Sequence, residues 1–199
     1  MLLTAQGVPF IYYGEELGMT GTTPDERLRT PYPWTATPPG FGFTTGTPWE
    51  TFSDGAETAN LASESADLTS VWSTYRDLVQ LRTQEAALGA GNFVRLKASN
   101  PGVAAWLRVF GDQRILVLHN LAREPATQVA LDLTTGPLCG SPGAFFLYAR
   151  TEGDEELAEP ASPSVTPAGG LRGYVPLPVI PAGAAAVIKL VDGLTTTEP

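Results

Sequence analysis

Gly7-Val8-Pro9-Phe10-Ile11-Tyr12-Tyr13-Gly14-Glu15-Glu16-Leu17-Gly18-Met19 is the stretch whose reading decides the fold. Val8 to Tyr13 is a compact apolar and aromatic run, the pattern of a strand buried on both faces in a parallel sheet. Gly14 breaks the run, and Glu15-Glu16 follow at its C-terminal end. In a β/α barrel that end carries the active-site groups. The stretch therefore predicts a short buried strand that ends abruptly in a polar turn.

Before it, Met1 to Gln6 reads as the end of a helix stopped by Gly7. After it, residues 20–60 keep neither a two-residue nor a 3.6-residue period and are rich in Thr, Pro and Gly, which predicts a long irregular loop. Trp34, Phe41, Phe43, Trp49 and Phe52 argue that this loop is ordered rather than disordered. Residues 66–88 predict the clearest helix, with Leu68, Val71, Trp72, Tyr75, Leu78 and Val79 forming a core-facing stripe. Asp67 or Ser65 suits its N-cap, and Gly89 or Gly91 its end.

From Asn92 the pattern changes to short strands: 93–98, 103–110, 114–118, 127–133, 144–149, 174–179 and 184–191. Gly, Pro, Asn and Asp separate them, and Gly111-Asp112 suits a hairpin turn. Seven such strands predict an antiparallel sandwich or a small barrel. Pro176 and Pro178 make 174–179 an edge strand or a bulge. Residues 152–170, acidic and carrying three prolines, read as an exposed loop.

The chain has 199 residues and 43% hydrophobic residues, enough for globular cores. Its net charge of −9 argues against nucleic acid and against anionic membrane surfaces, which need clustered Lys and Arg. No run is long enough to span a bilayer, and Met1-Leu2-Leu3 lacks the basic flank and apolar core of a signal peptide. With the single Cys139 no internal disulfide forms. No His or cationic residue neighbours it in sequence, so it reads as an incidental thiol.

The residues 7–19 resemble the last barrel strand of the α-amylase superfamily, glycoside hydrolase family thirteen, with its Gly-x-Pro-x-x-Tyr-x-Gly-Glu-Glu-x-Gly pattern. Arg29-Thr30-Pro31-Tyr32-Pro33-Trp34 resembles the family's Arg-x-Pro-Met-x-Trp loop, with Tyr32 in place of Met. Gly40-Phe41-Gly42-Phe43 and Thr47-Pro48-Trp49 resemble the same loop in members acting on oligosaccharides. Tyr75, Leu78, Leu81 and Arg82 match a Tyr-x-x-Leu-x-x-Leu-Arg helix near the barrel's end, and Leu116 to Leu121 resembles a strand of the C-terminal domain. The resemblance implies an α+β fragment: the end of a (β/α)8 barrel over residues 1–90, an all-β antiparallel sandwich domain over 91–193, and a tail over 194–199.

It also implies a function. The whole protein would be a retaining glycosidase or transglycosidase acting on α-linked gluco-oligosaccharides. Arg29, with Trp34 beneath or beside it, would border the substrate cleft, and Tyr32 would join them as a substrate-binding residue. Aromatic faces stack on pyranose C–H faces, and Arg donates charge-assisted hydrogen bonds to hydroxyls. The bland alternative for Arg29 is a surface ion pair with Asp25 or Glu26.

Retaining glycosidases need two carboxyl groups about 5 Å apart. The family's Asp, Glu and further Asp lie on earlier barrel strands, and no residue here matches those motifs, so no catalytic residue is expected in this chain. Adjacent Glu15 and Glu16 diverge on any regular backbone; they read as structural, one of them ordering the Arg29 loop. His119, at a strand end, reads as structural. Asp25, Glu26 and Asp54 lack calcium-ligand spacing, so neither metal nor cofactor is expected. The rival reading is a non-enzymatic carbohydrate-binding or scaffold module with the loop aromatics as its platform.

Overall fold

The computed structural model describes residues 1–151, 153 and 155–192. The tail expected at 194–199 lies outside the described residues. The chain divides into two compact units, one of Met1–Val8 with Leu81–Pro199 and one of Pro9–Gln80. The helices are α1 (Leu61–Ala66), α2 (Val71–Gln84) and α3 (Ala86–Ala90). The strands are β1 (Asn92–Arg95), β2 (Lys97–Ala98), β3 (Val103–Phe110), β4 (Gln113–Asn120), β5 (Ala126–Thr127), β6 (Leu131–Leu133), β7 (Gly143–Arg150), β8 (Leu171–Tyr174), β9 (Val179–Ile180) and β10 (Ala185–Val191).

In the first unit, β1-β3-β4-β10-β7 form an antiparallel five-stranded sheet. β2-β6-β8 and β5-β9 form two smaller antiparallel sheets. The β3–β4 hairpin turns on Gly111-Asp112, with Phe110 opposite Gln113 and Gly111 at φ 54°. A left-handed φ costs Gly nothing, which is why it can lead this tight turn.

β4 explains why the sheet is stable. Ile115, Leu116, Val117 and Leu118 are all fully buried, so the strand is covered on both faces. Leu116 and Leu118 join Leu107, Ile188, Leu131 and Leu171 in one apolar cluster drawn from the large sheet and the β2-β6-β8 sheet. Ile115 and Val117 lie opposite Arg108 and Trp106 on the other face, and α3 packs on β3 and β4. Burying each such side chain contributes about 1.5–3 kcal/mol.

That second face holds the unit's buried polar groups. Arg108 is fully buried. Its Nη1 donates to the carbonyls of Thr4 at 3.0 Å and Ala5 at 2.6 Å, and Nη2 to that of Gly91 at 2.9 Å. Arg82 donates to the carbonyls of Leu3 at 2.9 Å, Ala5 at 3.0 Å and Gly7 at 2.6 Å. Two guanidiniums thus satisfy the carbonyls of a segment without sheet partners, as buried backbone requires. Glu85 accepts two hydrogen bonds from Lys189 Nζ, at 2.8 and 2.9 Å.

Several sequence expectations differ from the fold. Residues 8–13 form no strand: Val8 and Phe10 are 79% and 85% exposed. A buried parallel strand needs neighbours on both edges and both faces, and the described residues supply none. The single helix expected at 66–88 is two shorter ones, α2 and α3, and α1 ends where it was expected to begin. Asn60 caps α1 by accepting from Ser63 N at 3.0 Å, and Ser70 accepts from Ser73 N at 3.0 Å at the start of α2. Asp67 sits in the intervening turn. The stripe expected to be core is only partly so, because Leu68, Val71 and Val79 are exposed.

Among the strands, 93–98 divides at the buried Leu96 and 127–133 divides at Gln128, whose φ is 49°. The segment 174–179 is no strand. β8 ends at Tyr174 and β9 starts at Val179, because Pro176 and Pro178 have no N–H to give a ladder. No described helix is long and apolar enough to cross a membrane.

Candidate functional site

The second unit, Pro9–Gln80, contains the residues that the sequence singled out for sugar contact. Its first fixed point is Gly14, at φ 89°. A Cβ there would collide with the Met19 side chain as well as strain the backbone. The turn at Gly14 starts a short 3-10 helix, Glu15–Leu17, and buries Leu17.

The turn fixes the Glu16 carboxylate by two hydrogen bonds. Glu16 Oε2 accepts from Gly14 N at 2.9 Å, and Glu16 Oε1 accepts from Tyr32 Oη at 2.9 Å. Glu15 and Glu16 both lie close enough to the phenol of Tyr75 on α2 for their charges to act on it. Glu16 thus serves the Tyr32 phenol, and both acids act on Tyr75. Glu16 ties the Gly14 turn to the 29–34 loop, which is the ordering role expected of one of them. Tyr13 Oη adds a second tie, donating to the carbonyl of Thr30 at 3.2 Å.

These contacts shift the phenols. Burial pushes Tyr32 well above its ordinary value, and the hydrogen bond to Glu16 and that carboxylate's charge add to it. Tyr75 is raised by burial, then by the charges of Glu15 and Glu16 and the bond to Glu15. Tyr13 is raised by burial and by Tyr12, while Arg29 pulls it back. The phenols remain protonated donors through the neutral range.

Trp34 packs its ring against Tyr32 at 4.9 Å and 59°, and is half exposed. Arg29 is exposed and pairs with Asp25 four residues earlier. This is the ion pair that the bland reading of Arg29 describes, and such pairs contribute little. Among the described residues Trp34 makes no cation–π contact with Arg29; its ring neighbour is Tyr32. The structure thus brings Tyr32, Trp34 and Glu16 together and leaves Arg29 at the rim of the Tyr13 environment.

Tyr13 and Tyr75 were not singled out by the sequence as site residues. Tyr75 read as core at helical spacing, and nothing local marked it as a partner for an acid 60 residues away. Phe41 packs on Phe52 at 4.7 Å, and Phe43 meets Phe52 edge-on at 6.3 Å. Phe43 and Trp49 are exposed.

The remaining candidates lie in the first unit. His119 is buried, stacks on Trp106 at 5.4 Å and faces Thr4 Oγ1 at 3.4 Å. Burial, helped by the Met1 ammonium, pushes its pKa down to about 4, so it is a neutral structural ring. The exposed Cys139 thiol donates to Asp192 Oδ2 at 3.2 Å, and that bond and charge raise its pKa, which disfavours the reactive thiolate. Among the described residues no group of three or more His, Cys, Asp or Glu is placed to hold a metal.

Comparison with known proteins agrees with this arrangement of turn, loop and helix. The family model described as alpha amylase, catalytic domain, matches residues 1–91. Residues 1–91 of this chain are therefore similar to the catalytic domain of the α-amylase family. Alpha-amylase 3 of Dictyoglomus thermophilum is 35% identical over 123 residues, covering 61% of this chain and 24% of that protein. Trehalose-6-phosphate hydrolase of Escherichia coli is 34% identical over 155 residues, covering 60% of this chain and 28% of the relative. The solved trehalulose synthase MutB of Pseudomonas mesoacidophila is 25% identical, with a TM-score of 0.69 over 95% of this chain and 36% of that one. The chain spans about a quarter of the length of these curated relatives.

Proposed function

We propose that this chain is the C-terminal portion of an α-amylase-family retaining glycosidase or transglycosidase acting on α-linked gluco-oligosaccharides. On this reading residues 1–90 are the end of a (β/α)8 barrel, with its last strand, loop and helix, and residues 91–193 are a C-terminal β-sandwich. The catalytic carboxylates belong to barrel strands outside this sequence, so the chain alone is inactive. Arg29, Tyr32 and Trp34 form part of the wall of the substrate cleft: Trp34 offers a ring face, Tyr32 a phenol held by Glu16, and Arg29 a guanidinium.

The observation that carries the reading is the family match over residues 1–91. The exposed run Val8–Tyr13 and the half-exposed stripe of α2 support it, because in a barrel such surfaces are covered by neighbouring strands and helices. An inactive double mutant of MutB is known in complex with isomaltulose, which supports an α-glucoside as the ligand class.

The test is an assay of the purified chain on maltotriose and isomaltose. No turnover above the blank is expected, whereas a protein extended upstream through the barrel turns over. In that extended protein Arg29→Ala and Trp34→Ala each lower kcat/KM by about tenfold or more, as the loss of a charge-assisted hydrogen bond or an aromatic contact implies. Turnover by the chain alone that Glu16→Gln abolishes would overturn the reading.

The second reading, a non-enzymatic carbohydrate-binding module, is favoured by the exposed Phe43 and Trp49. Calorimetry with maltotriose separates the two: tight binding by the isolated chain without turnover supports the module.

A further inference from the structure

In the first unit the adjacent strands β2, β6 and β8 each carry an exposed charged residue: Lys97, Asp132 and Arg172. Lys97 stands opposite Asp132 in the ladder. All three line a cavity of about 540 Å3, together with Thr134, Thr166 and Ala168. Leu133 and Leu171 add apolar surface to it.

The three charges are unevenly engaged. Asp132 Oδ1 accepts from Gly173 N at 2.8 Å, and Gly173 is left-handed at φ 60°. Lys97 and Arg172 have no ion-pair partner among the described residues. Thr166 Oγ1 accepts from Gly170 N at 3.0 Å, which leaves its own O–H free to donate. One wall of the cavity is a preformed turn. Thr166 N donates to the carbonyl of Gly170 at 3.0 Å, and Gly169 N to that of Thr166 at 2.8 Å. Gly136 N and Leu138 N fasten the turn by donating to Ala168 and Gly169, at 3.2 and 3.1 Å. A Cβ on Gly169 would strike the carbonyl oxygens of Gly136 and Leu138. A wall fixed in this way costs a ligand little to order.

The lining is richer in donors than in acceptors: an ammonium and a guanidinium that only donate, and hydroxyls, against one carboxylate with an oxygen already in use. It is net positive on a chain of net charge −9, so the overall charge does not account for it. A metal cation would meet a single carboxylate between two positive groups, and a neutral polyol would leave both cations without a counter-charge. β2 and β8 stand two strand spacings apart, about 9.5 Å, so the long Lys97 and Arg172 side chains can reach one ligand from opposite sides. A phosphate group offers three terminal oxygens, enough for both cations and a hydroxyl, and its charge suits a guanidinium fork. Leu133 and Leu171 offer apolar contact to whatever the phosphate carries. We infer that this cavity is a site for a phosphate monoester, with Lys97 and Arg172 as its charge partners and Thr166 as a neutral donor. The inference uses no residue of Pro9–Gln80, so it stands or falls apart from the glycosidase reading.

Titration of the full chain with phenyl phosphate at fixed ionic strength, followed by heteronuclear NMR, tests this. Saturable shifts are expected at the amides of Thr134, Ala168 and Gly173, with a Kd on the order of 1 mM. Lys97→Gln and Arg172→Gln each weaken binding about tenfold, as the loss of a charge-assisted hydrogen bond implies. Arg172→Lys recovers only part of the loss, because an ammonium offers no fork. Asp132→Asn keeps an acceptor for Gly173 N and removes the opposing charge, so it tightens binding severalfold. Arg95→Gln removes a cation of β1 outside the lining and leaves Kd unchanged. Inorganic phosphate shifts the same amides with lower affinity, since it lacks the apolar part.

Four results would overturn the inference. One is the absence of saturable shifts with phenyl phosphate. Another is an unchanged Kd in both Lys97→Gln and Arg172→Gln. A third is weaker binding by Asp132→Asn, which would make that carboxylate a ligand group rather than an opposing charge. The last is tighter binding of benzoate or of D-glucose than of phenyl phosphate at the same amides, which would assign the cavity to a carboxylate or to a neutral ligand.

Discussion

The Leu81–Val191 region and the Pro9–Gln80 region are held in different ways. In the first, one strand, β4, has four consecutive residues with no exposure at all. In the second, Phe10, Tyr12, Trp34, Trp49 and Leu68 all face solvent, and the order comes from specific polar ties such as Glu16–Tyr32 and Asn60–Ser63. A region stabilised by apolar area tolerates the loss of one hydrogen bond. A region stabilised by a few ties depends on each of them but has little to lose from an exposed ring.

This contrast is tested most strongly in β4. Leu116→Ala and Leu118→Ala are each expected to cost about 3–5 kcal/mol, the transfer term plus a cavity, read from urea midpoints followed by far-UV circular dichroism. Phe10→Ser in the other region should change stability by less than about 0.5 kcal/mol. Equal effects would erase the distinction.

The buried polar groups of the first region come next. Lys189→Met leaves Glu85 buried without its partner, and about 3 kcal/mol is expected to be lost. Asn120 is 2% exposed; its Nδ2 donates to the carbonyls of Ile180 and Pro181, each at 3.0 Å. Asn120→Ala should cost about 2–3 kcal/mol through the acceptors it orphans.

His119 adds a pH signature. Its folded pKa of about 4 lies below the ordinary 6.5. As pH falls the unfolded chain takes the proton first, so this contribution is complete above pH 6.5. It is lost progressively as pH falls from 6.5 to about 4, amounting to about 3 kcal/mol. His119→Gln should flatten that part of the stability profile, measured by thermal melts between pH 4 and 7. The smallest effect expected is that of Tyr32→Phe, about 1 kcal/mol from a half-exposed hydrogen bond to Glu16; a loss above about 3 kcal/mol would show that this tie carries the second region alone.

The two regions also differ in how far they could be read from sequence. β3 is bounded by Gly102 and Gly111 and alternates with its partner, so Val103–Phe110 was legible to the residue. β4 was legible as a strand because an unbroken Ile-Leu-Val-Leu run has few other uses. Residues 8–13 carry the same kind of signal and mislead, because hydrophobic pattern reports what a segment buries when its neighbours are present. The stripe on α2 misleads for the same reason. In the candidate site, Arg29, Tyr32 and Trp34 were singled out through a family motif, whereas the Tyr13–Thr30 and Tyr32–Glu16 contacts arise from approaches between distant positions, for which single-residue spacing holds no signal.

Hydrogen exchange of the isolated chain, resolved by residue, tests the central claim most directly: that the sheet region is held by buried apolar strands while the apolar run of the Pro9–Gln80 region has no covering neighbours among the described residues. The account predicts that amides of Leu116–Leu118 exchange only through global unfolding and those of Phe10–Tyr13 exchange at nearly unprotected rates. Protection of Phe10–Tyr13 equal to that of β4 would contradict it and would mean that the run has found a partner within this chain.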